Sequence, residues 1–180
     1  MTTQVMIDLE TLASTEDAAV IQIAAVAFDS VTGRIASEFN VYVRDPVGRI
    51  DPGTVFWWMQ QAAAPAVGKA CAEGAILRIT LDKFQSWVDS LGDVHGVWSL
   101  PASFDLAIVG STYGKAGLCK PWHYRLERCA RTVLAIAGYR GKDRPGVPKP
   151  EGYLEHDALS DCRMQVAWLI DAARTAGVTL

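Results

Sequence analysis

Val5-Met6-Ile7-Asp8-Leu9-Glu10 opens the chain as an apolar run interrupted by two acids. So short a run predicts a β-strand. Residues two apart in a strand share a face, so the carboxylates of Asp8 and Glu10 project together. Two like charges at an otherwise apolar site raise each other's pKa unless something positive sits between them, and a hard divalent cation with oxygen ligands does this well. The alternative is a strand end carrying two solvated acids. The rest of the chain has to separate the two.

Beyond this run, residues 19–28 form a longer apolar run and residues 34–43 alternate, with Ile35, Phe39, Val41 and Val43 on one parity. A turn at 29–33 separates them, so the first third predicts three strands joined by antiparallel hairpins. Beyond the Pro- and Gly-containing loop at 45–53, helices are expected over 54–63 and over 80–91. In the second, Leu81, Phe84, Trp87, Val88 and Leu91 share a face and Thr80 is placed to cap the start. A fourth strand at 96–100 leads into a helix from about Phe104 to near Gly117, and a further helix covers 129–137.

Residues 138–152 are dense in Gly, Pro, Lys and Arg and predict an exposed loop, either functional or a plain surface connection. The last helix spans 157–176, with Ala158, Cys162, Val166, Leu169, Ile170 and Ala173 as its apolar stripe. Strands first, then helices interleaved with another strand, describe an α/β domain: a mixed sheet flanked by helices.

With 180 residues, half of them apolar and 21% charged, the chain reads as one domain over 1–180. Folding should bury roughly 70% of the unfolded surface, so neither a disulfide nor a structural metal is required. Cys71, Cys119, Cys129 and Cys162 are scattered and read as reduced thiols. No secretory signal is visible, and the apolar stretch 18–28, interrupted by Gln22, falls short of the ~20 residues that cross a bilayer. A cytoplasmic protein without a membrane partner is expected. The net charge of −3 argues against broad neutralisation of phosphates by a basic face. Bound cations would invert the field locally, so a polyanion can still bind at a carboxylate cluster.

Three further residues extend the acidic pair. Asp105 follows the fourth strand in the first turn of a helix, where the dipole favours any acid, but also where an α/β sheet gathers its ligand groups. His156 precedes Asp161 by five positions, an offset of about 140° on a helix, so both cannot face one site from within it. His156 should therefore lie before the first turn, its ring over the cleft, with Asp161 one turn in; Asp157 competes but suits a cap. Four carboxylates and a histidine suit phosphodiester hydrolysis with two metal ions about 4 Å apart, the histidine taking the proton of the attacking water.

Asp8-Leu9-Glu10, Asp105 after Ser103-Phe104, and His156 with Asp161 resemble, in order and spacing, the DnaQ-like DEDDh 3′-5′ exonucleases. The resemblance covers nearly the whole chain. It implies an RNase H-like fold, two Mg²⁺ or Mn²⁺ ions held by Asp8, Glu10, Asp105 and Asp161, His156 as general base, and release of nucleoside 5′-monophosphates. More narrowly, Thr54-Val55-Phe56-Trp57-Trp58-Met59-Gln60-Gln61 and Arg128-Cys129-Ala130-Arg131-Thr132-Val133 are similar to a small phage and bacterial branch of exoribonuclease or exodeoxyribonuclease VIII-like proteins. One departure stands out: that branch carries a small, Gly- or Asn-containing run where this chain has Trp98-Ser99-Leu100-Pro101.

The same resemblance places Thr11 and Leu12 against the terminal nucleotide. Trp57 and Trp58, about 100° apart on a helix, could stack on bases or pack in the core. Gln61 is a substrate candidate through its neighbourhood to them, and Arg131 either holds a phosphate or pairs with a carboxylate. The expected partner is single-stranded RNA or DNA with a free 3′ end; a homodimer stays open. Two rivals remain: an RNase H-like endonuclease, and a catalytically silent nucleic-acid-binding domain of the same fold.

Overall fold

The computed structural model describes residues 2–141 and 143–180. Its three opening strands, β1 (Thr3–Thr11), β2 (Val20–Asp29) and β3 (Ile35–Tyr42), pair antiparallel as two hairpins. Strand β4 (Val94–Ser99) then joins β1 in parallel, and β5 (Glu127–Cys129) joins β4 in parallel. The sheet order is β3-β2-β1-β4-β5, which sets β1 and its acids at the centre.

Helices cover both faces. They are α1 (Pro52–Trp58), α2 (Ala64–Ala72), α3 (Leu77–Ser90), α4 (Asp105–Lys115), α5 (Ala130–Ile136) and α6 (Ala158–Ala176). Alternation along β1 divides the core. Val5, Ile7 and Leu9 pack with Leu81, Phe84, Leu106 and Val109 of α3 and α4. On the other face Met6 packs with Val133 and Leu134 of α5 and with Cys162, Val166 and Leu169 of α6. All ten residues of β2 are buried, Gln22 and Asp29 with its apolar residues, as in a strand covered on both sides. A smaller cluster of Ile21, Trp58, Ala63 and Val67 seats α1 and α2 beside the end of β2.

Two local expectations are corrected, and one strand appears that the sequence does not announce. The helix expected over 54–63 stops at Trp58, and after a turn the chain starts a separate helix, α2, with Pro65 in its first turn. Rich in Ala and holding Gly68, that segment shows no broad apolar stripe in the sequence. Thr80 does not cap α3, which starts three residues earlier; its hydroxyl donates to the Ile76 carbonyl at 3.2 Å. The cap comes from a distance, the Asp45 carboxylate accepting the Leu77 N–H at 2.8 Å. Strand β5 has no apolar pattern and is defined only by its pairing with β4. Among the described residues no helix is long and apolar enough to cross a membrane.

Candidate active site

The parallel pairing of β1 with β4 ends at Met6 and Trp98, and β1 runs on past it. There the Leu9 N–H donates to Oδ1 of Asp105 at 3.3 Å, so the carboxylate that opens α4 docks on the free edge of β1. Asp8 and Glu10 share the parity of Met6 and face α6. Asp8 accepts a hydrogen bond from Nε2 of Gln165 at 2.7 Å. In the first turn of α6, Asp161 accepts the Tyr153 hydroxyl at 2.5 Å through Oδ1 and the His156 backbone N–H at 3.0 Å through Oδ2.

The start of α6 is pinned from several sides, which sets where His156 and Asp161 stand. Asp157 caps the helix by accepting the Ser160 N–H at 3.1 Å, and its other oxygen accepts the Tyr42 hydroxyl at 2.5 Å and the Gln22 amide at 3.0 Å. Gln22 completes the link by accepting the Ala158 N–H at 3.1 Å. Strands β2 and β3 thus hold the helix end through two polar side chains. Immediately before the cap, His156 adopts φ 63°, a left-handed conformation uncommon outside glycine. Strained backbone of this kind concentrates at functional sites. It turns the imidazole against the edge of Trp57, ring centres 4.7 Å apart. Single donor atoms of Glu10, His156 and Asp161 all lie within 4.8 Å of one another, close enough to share an ion.

The five residues line one cleft of about 270 Å³, walled also by Trp57, Trp58, Leu100 and Phe104. Its electrostatics are those of a cation site. Burial and the charges of Asp105, Glu10 and Asp161 push the Asp8 carboxyl well above its ordinary value, against the Gln165 hydrogen bond. Burial, then the charges of Asp161, Asp157 and Asp105, raise Glu10 to about 9. Asp105 is raised by burial to about 7, held down by the N–H of Leu9, its own backbone N–H, the nearby Ser99 hydroxyl and the field of Arg131. Ser99 exerts that influence without a formed hydrogen bond. Asp161 is raised by burial, opposed by Tyr153 and His156. Among the described residues, none of the four acids forms a salt bridge with a basic side chain. Carboxylates that are buried or half-buried without basic partners fit a divalent cation, whose charge would restore their ionised forms.

Residues 3–172 match the model of the Rv2179c-like 3′-5′ exoribonuclease domain. The chain belongs to this family. No curated protein matches it by sequence. Among solved structures it is similar to cell-death related nuclease 4, with a TM-score of 0.70 at 18% identity, over 98% of this chain and 65% of that one. It also resembles exonuclease X in complex with 5′ overhanging duplex DNA, with a TM-score of 0.62 at 21% identity, over 98% and 94%. E. coli exonuclease I bound to a dT13 oligonucleotide gives 0.69 at 16% identity, over 98% and 42%. The chain thus spans just under two thirds of the nuclease and less than half of exonuclease I. At these identities the likeness is one of fold, and the RNase H-like α/β architecture expected from the sequence is the one observed.

Within this exoribonuclease-family fold, Thr11 and Trp58 stand in the cleft, joined by the Trp58 indole donating to the Thr11 carbonyl at 2.9 Å. Trp58 is 7% exposed and serves wall and core at once, whereas Trp57 is 41% exposed. Three substrate candidates fall elsewhere. Leu12 lies against an apolar hollow with Val43, Val67 and Cys71 and does not line the cleft. Gln61 lies past the end of α1, its amide turned back to the Trp57 carbonyl at 2.9 Å, and is also outside the lining. Arg131 is exposed beyond the cleft and acts on Asp105 through its charge. Leu100, from the segment that departs from the related branch, forms part of the wall. Gln165 and Tyr153 were missed. Gln165 sits four residues after Asp161 on one helical face, a readable spacing; Tyr153 comes from the irregular loop and carries no such signal.

Proposed function

We propose that residues 1–180 form one metal-dependent 3′-5′ exonuclease domain that removes nucleotides from single-stranded nucleic acid in the cytoplasm. The observation that carries this reading is the convergence of four carboxyls, two buried and two half-buried, and His156 on one cleft in a member of an exoribonuclease family. Asp8, Glu10, Asp105 and Asp161 would hold divalent ions, two Mg²⁺ or Mn²⁺ in this reading, with His156 beside them. When bound, such ions supply positive charge to the attacking and leaving oxygens of a phosphodiester.

The protein's own groups do the rest. His156, held by its left-handed backbone and the Trp57 edge, takes a proton from the attacking water at a ring nitrogen. Trp57 and Trp58 present aromatic surface to an unstacked base. The Thr11 backbone, fixed by the Trp58 indole, forms the wall beside Glu10. With little basic surface, the cleft suits the few nucleotides of a free end better than an internal duplex. The exonuclease I and exonuclease X structures hold DNA and the family description names RNA, so both sugars belong in the assay.

The test uses matched 5′-labelled RNA and DNA strands with Mg²⁺ or Mn²⁺. Linear strands ending in a 3′-hydroxyl should give a ladder of shortened products and nucleoside 5′-monophosphates, while a circular strand and a 3′-phosphorylated strand resist. Efficient cutting of the circle would replace this reading with an endonuclease. No cleavage of any strand would leave a binding domain.

A further inference from the structure

Gln165 is 6% exposed and lies on α6 one turn beyond Asp161, so both side chains leave the same face of the helix. That face approaches the sheet closely: the Cys162 thiol lies 3.7 Å from the Met6 carbonyl and 3.5 Å from that of Ala24. An amide at this position therefore reaches β1 directly. Its Nε2 donates to Oδ1 of Asp8 at 2.7 Å, while its Oε1 is buried with no hydrogen-bond partner.

Half of this amide is satisfied and half is not. A buried acceptor without a donor costs stability, and an apolar side chain of the same length would fill the space without that cost. Packing alone therefore does not account for a glutamine here. Its useful half is the one that grips Asp8, half-buried beside the buried Glu10 and Asp105. Groups that hydrogen-bond a ligand from behind fix which oxygen is offered to the ion and how it is turned.

We infer that Gln165 is a positioning residue for the metal site, fixing the Asp8 carboxylate from α6 while Asp161 enters the same site from the preceding turn. One helix then contributes both a ligand and the brace for a ligand on the central strand. The inference rests on the metal-dependent reading above. It assigns Gln165 no contact with substrate or with the reacting atoms.

The experiment titrates metal-free protein with Mn²⁺ by calorimetry, comparing wild type with Gln165→Met, which keeps the length and removes the amide. Loss of a supporting partner behind a ligand typically weakens metal binding 10- to 100-fold. A loss of about that size is expected, with KM for an oligonucleotide unchanged at saturating Mn²⁺. Gln165→Asn, whose amide is one methylene short of Asp8, should weaken Mn²⁺ binding likewise and serves if the Met variant does not fold. Placed on an Asp8→Asn background, Gln165→Met should cause little further loss, because the group it braces has already been changed.

Mn²⁺ affinity within twofold of wild type, whether or not the melting temperature falls, would make Gln165 a packing residue and overturn the inference. A full loss persisting on the Asp8→Asn background would overturn it too, since Gln165 would then act through another group. Failure of the wild-type protein to bind Mn²⁺ would instead defeat the metal reading itself.

Discussion

Raising the pH of the metal-free protein should destabilise it, and replacing Glu10 with Gln should remove much of that effect. Glu10 is 7% exposed, with a carboxyl raised to about 9, and Asp105 is raised to about 7. A carboxyl raised in the folded state keeps its proton where the unfolded chain, near pH 4, has already lost it. Stability then falls with pH through the window from about 5 to 9, because the native state binds more protons than the unfolded one. One retained proton is worth about 1.4 kcal/mol per pH unit, so Glu10 alone removes roughly 3 kcal/mol between pH 6 and 8. For a chain of this length the unfolding entropy is about 0.4 kcal/mol per degree. The melting temperature of the metal-free protein should therefore fall by about 7 °C over that interval.

Divalent metal should reverse the trend, since ions bind the ionised ligands and compete with those protons. Mn²⁺ at about 100 times its dissociation constant adds about 2.7 kcal/mol, again about 7 °C, and the gain should be larger at pH 8 than at pH 6. Thermal melts in chelator and in Mn²⁺ at both pH values, on wild type and Glu10→Gln, measure all of this. A metal-free melting temperature that is flat or rising from pH 6 to 8, with Glu10→Gln parallel to wild type, would exclude retained protons on these acids. It would mean that these acids are solvated.

Asp8→Ala, Glu10→Ala, Asp105→Ala and Asp161→Ala should each abolish nearly all metal-dependent cleavage while circular dichroism stays native; near-normal cleavage by Asp105→Ala would remove that residue from the site. His156→Ala should lower turnover by about 10²- to 10⁴-fold with Mn²⁺ affinity largely kept, and an unchanged rate would require another base. Trp57→Ala should raise KM for a short oligonucleotide by about 10-fold or more, as loss of one stacking surface does, without lowering the melting temperature. An unchanged KM would make Trp57 a bystander at the rim. Asp45→Ala should destabilise the fold by about 1 kcal/mol through loss of the α3 cap, read by urea denaturation, with cleavage unaltered.

What the sequence disclosed, and what it did not, follows from the range of the forces involved. Strand parity is a local property, so the shared face of Asp8 and Glu10 could be read from six residues, and the five-residue offset from His156 to Asp161 placed the imidazole ahead of the last helix. The same locality explains the misses. Strand β5 exists because β4 offers it an edge, and the α3 cap exists because Asp45, 32 residues away, arrives at Leu77. Neither leaves a trace in its own neighbourhood. Leu12 was drawn toward the cleft by its place after Glu10 and Thr11, yet Thr11, Ala13 and Ser14 line the wall while Leu12 turns into the apolar hollow behind it.

The carboxylate cluster is the reverse case: its members are far apart in sequence, and each alone admits a bland role as strand end or helix cap. Their gathering in one cleft argues against those roles. A solvated strand end would not raise Glu10 to about 9, and an acid serving only the α4 dipole would not need to dock on Leu9. Folding brings together charges that oppose folding, and among the described residues Arg131 leans against them at Asp105 and His156 at Asp161. A protein that keeps such an arrangement at the centre of its sheet carries a standing demand for positive charge in the cleft. The pH and metal dependence of its stability measures that demand directly, before any nucleic acid is added.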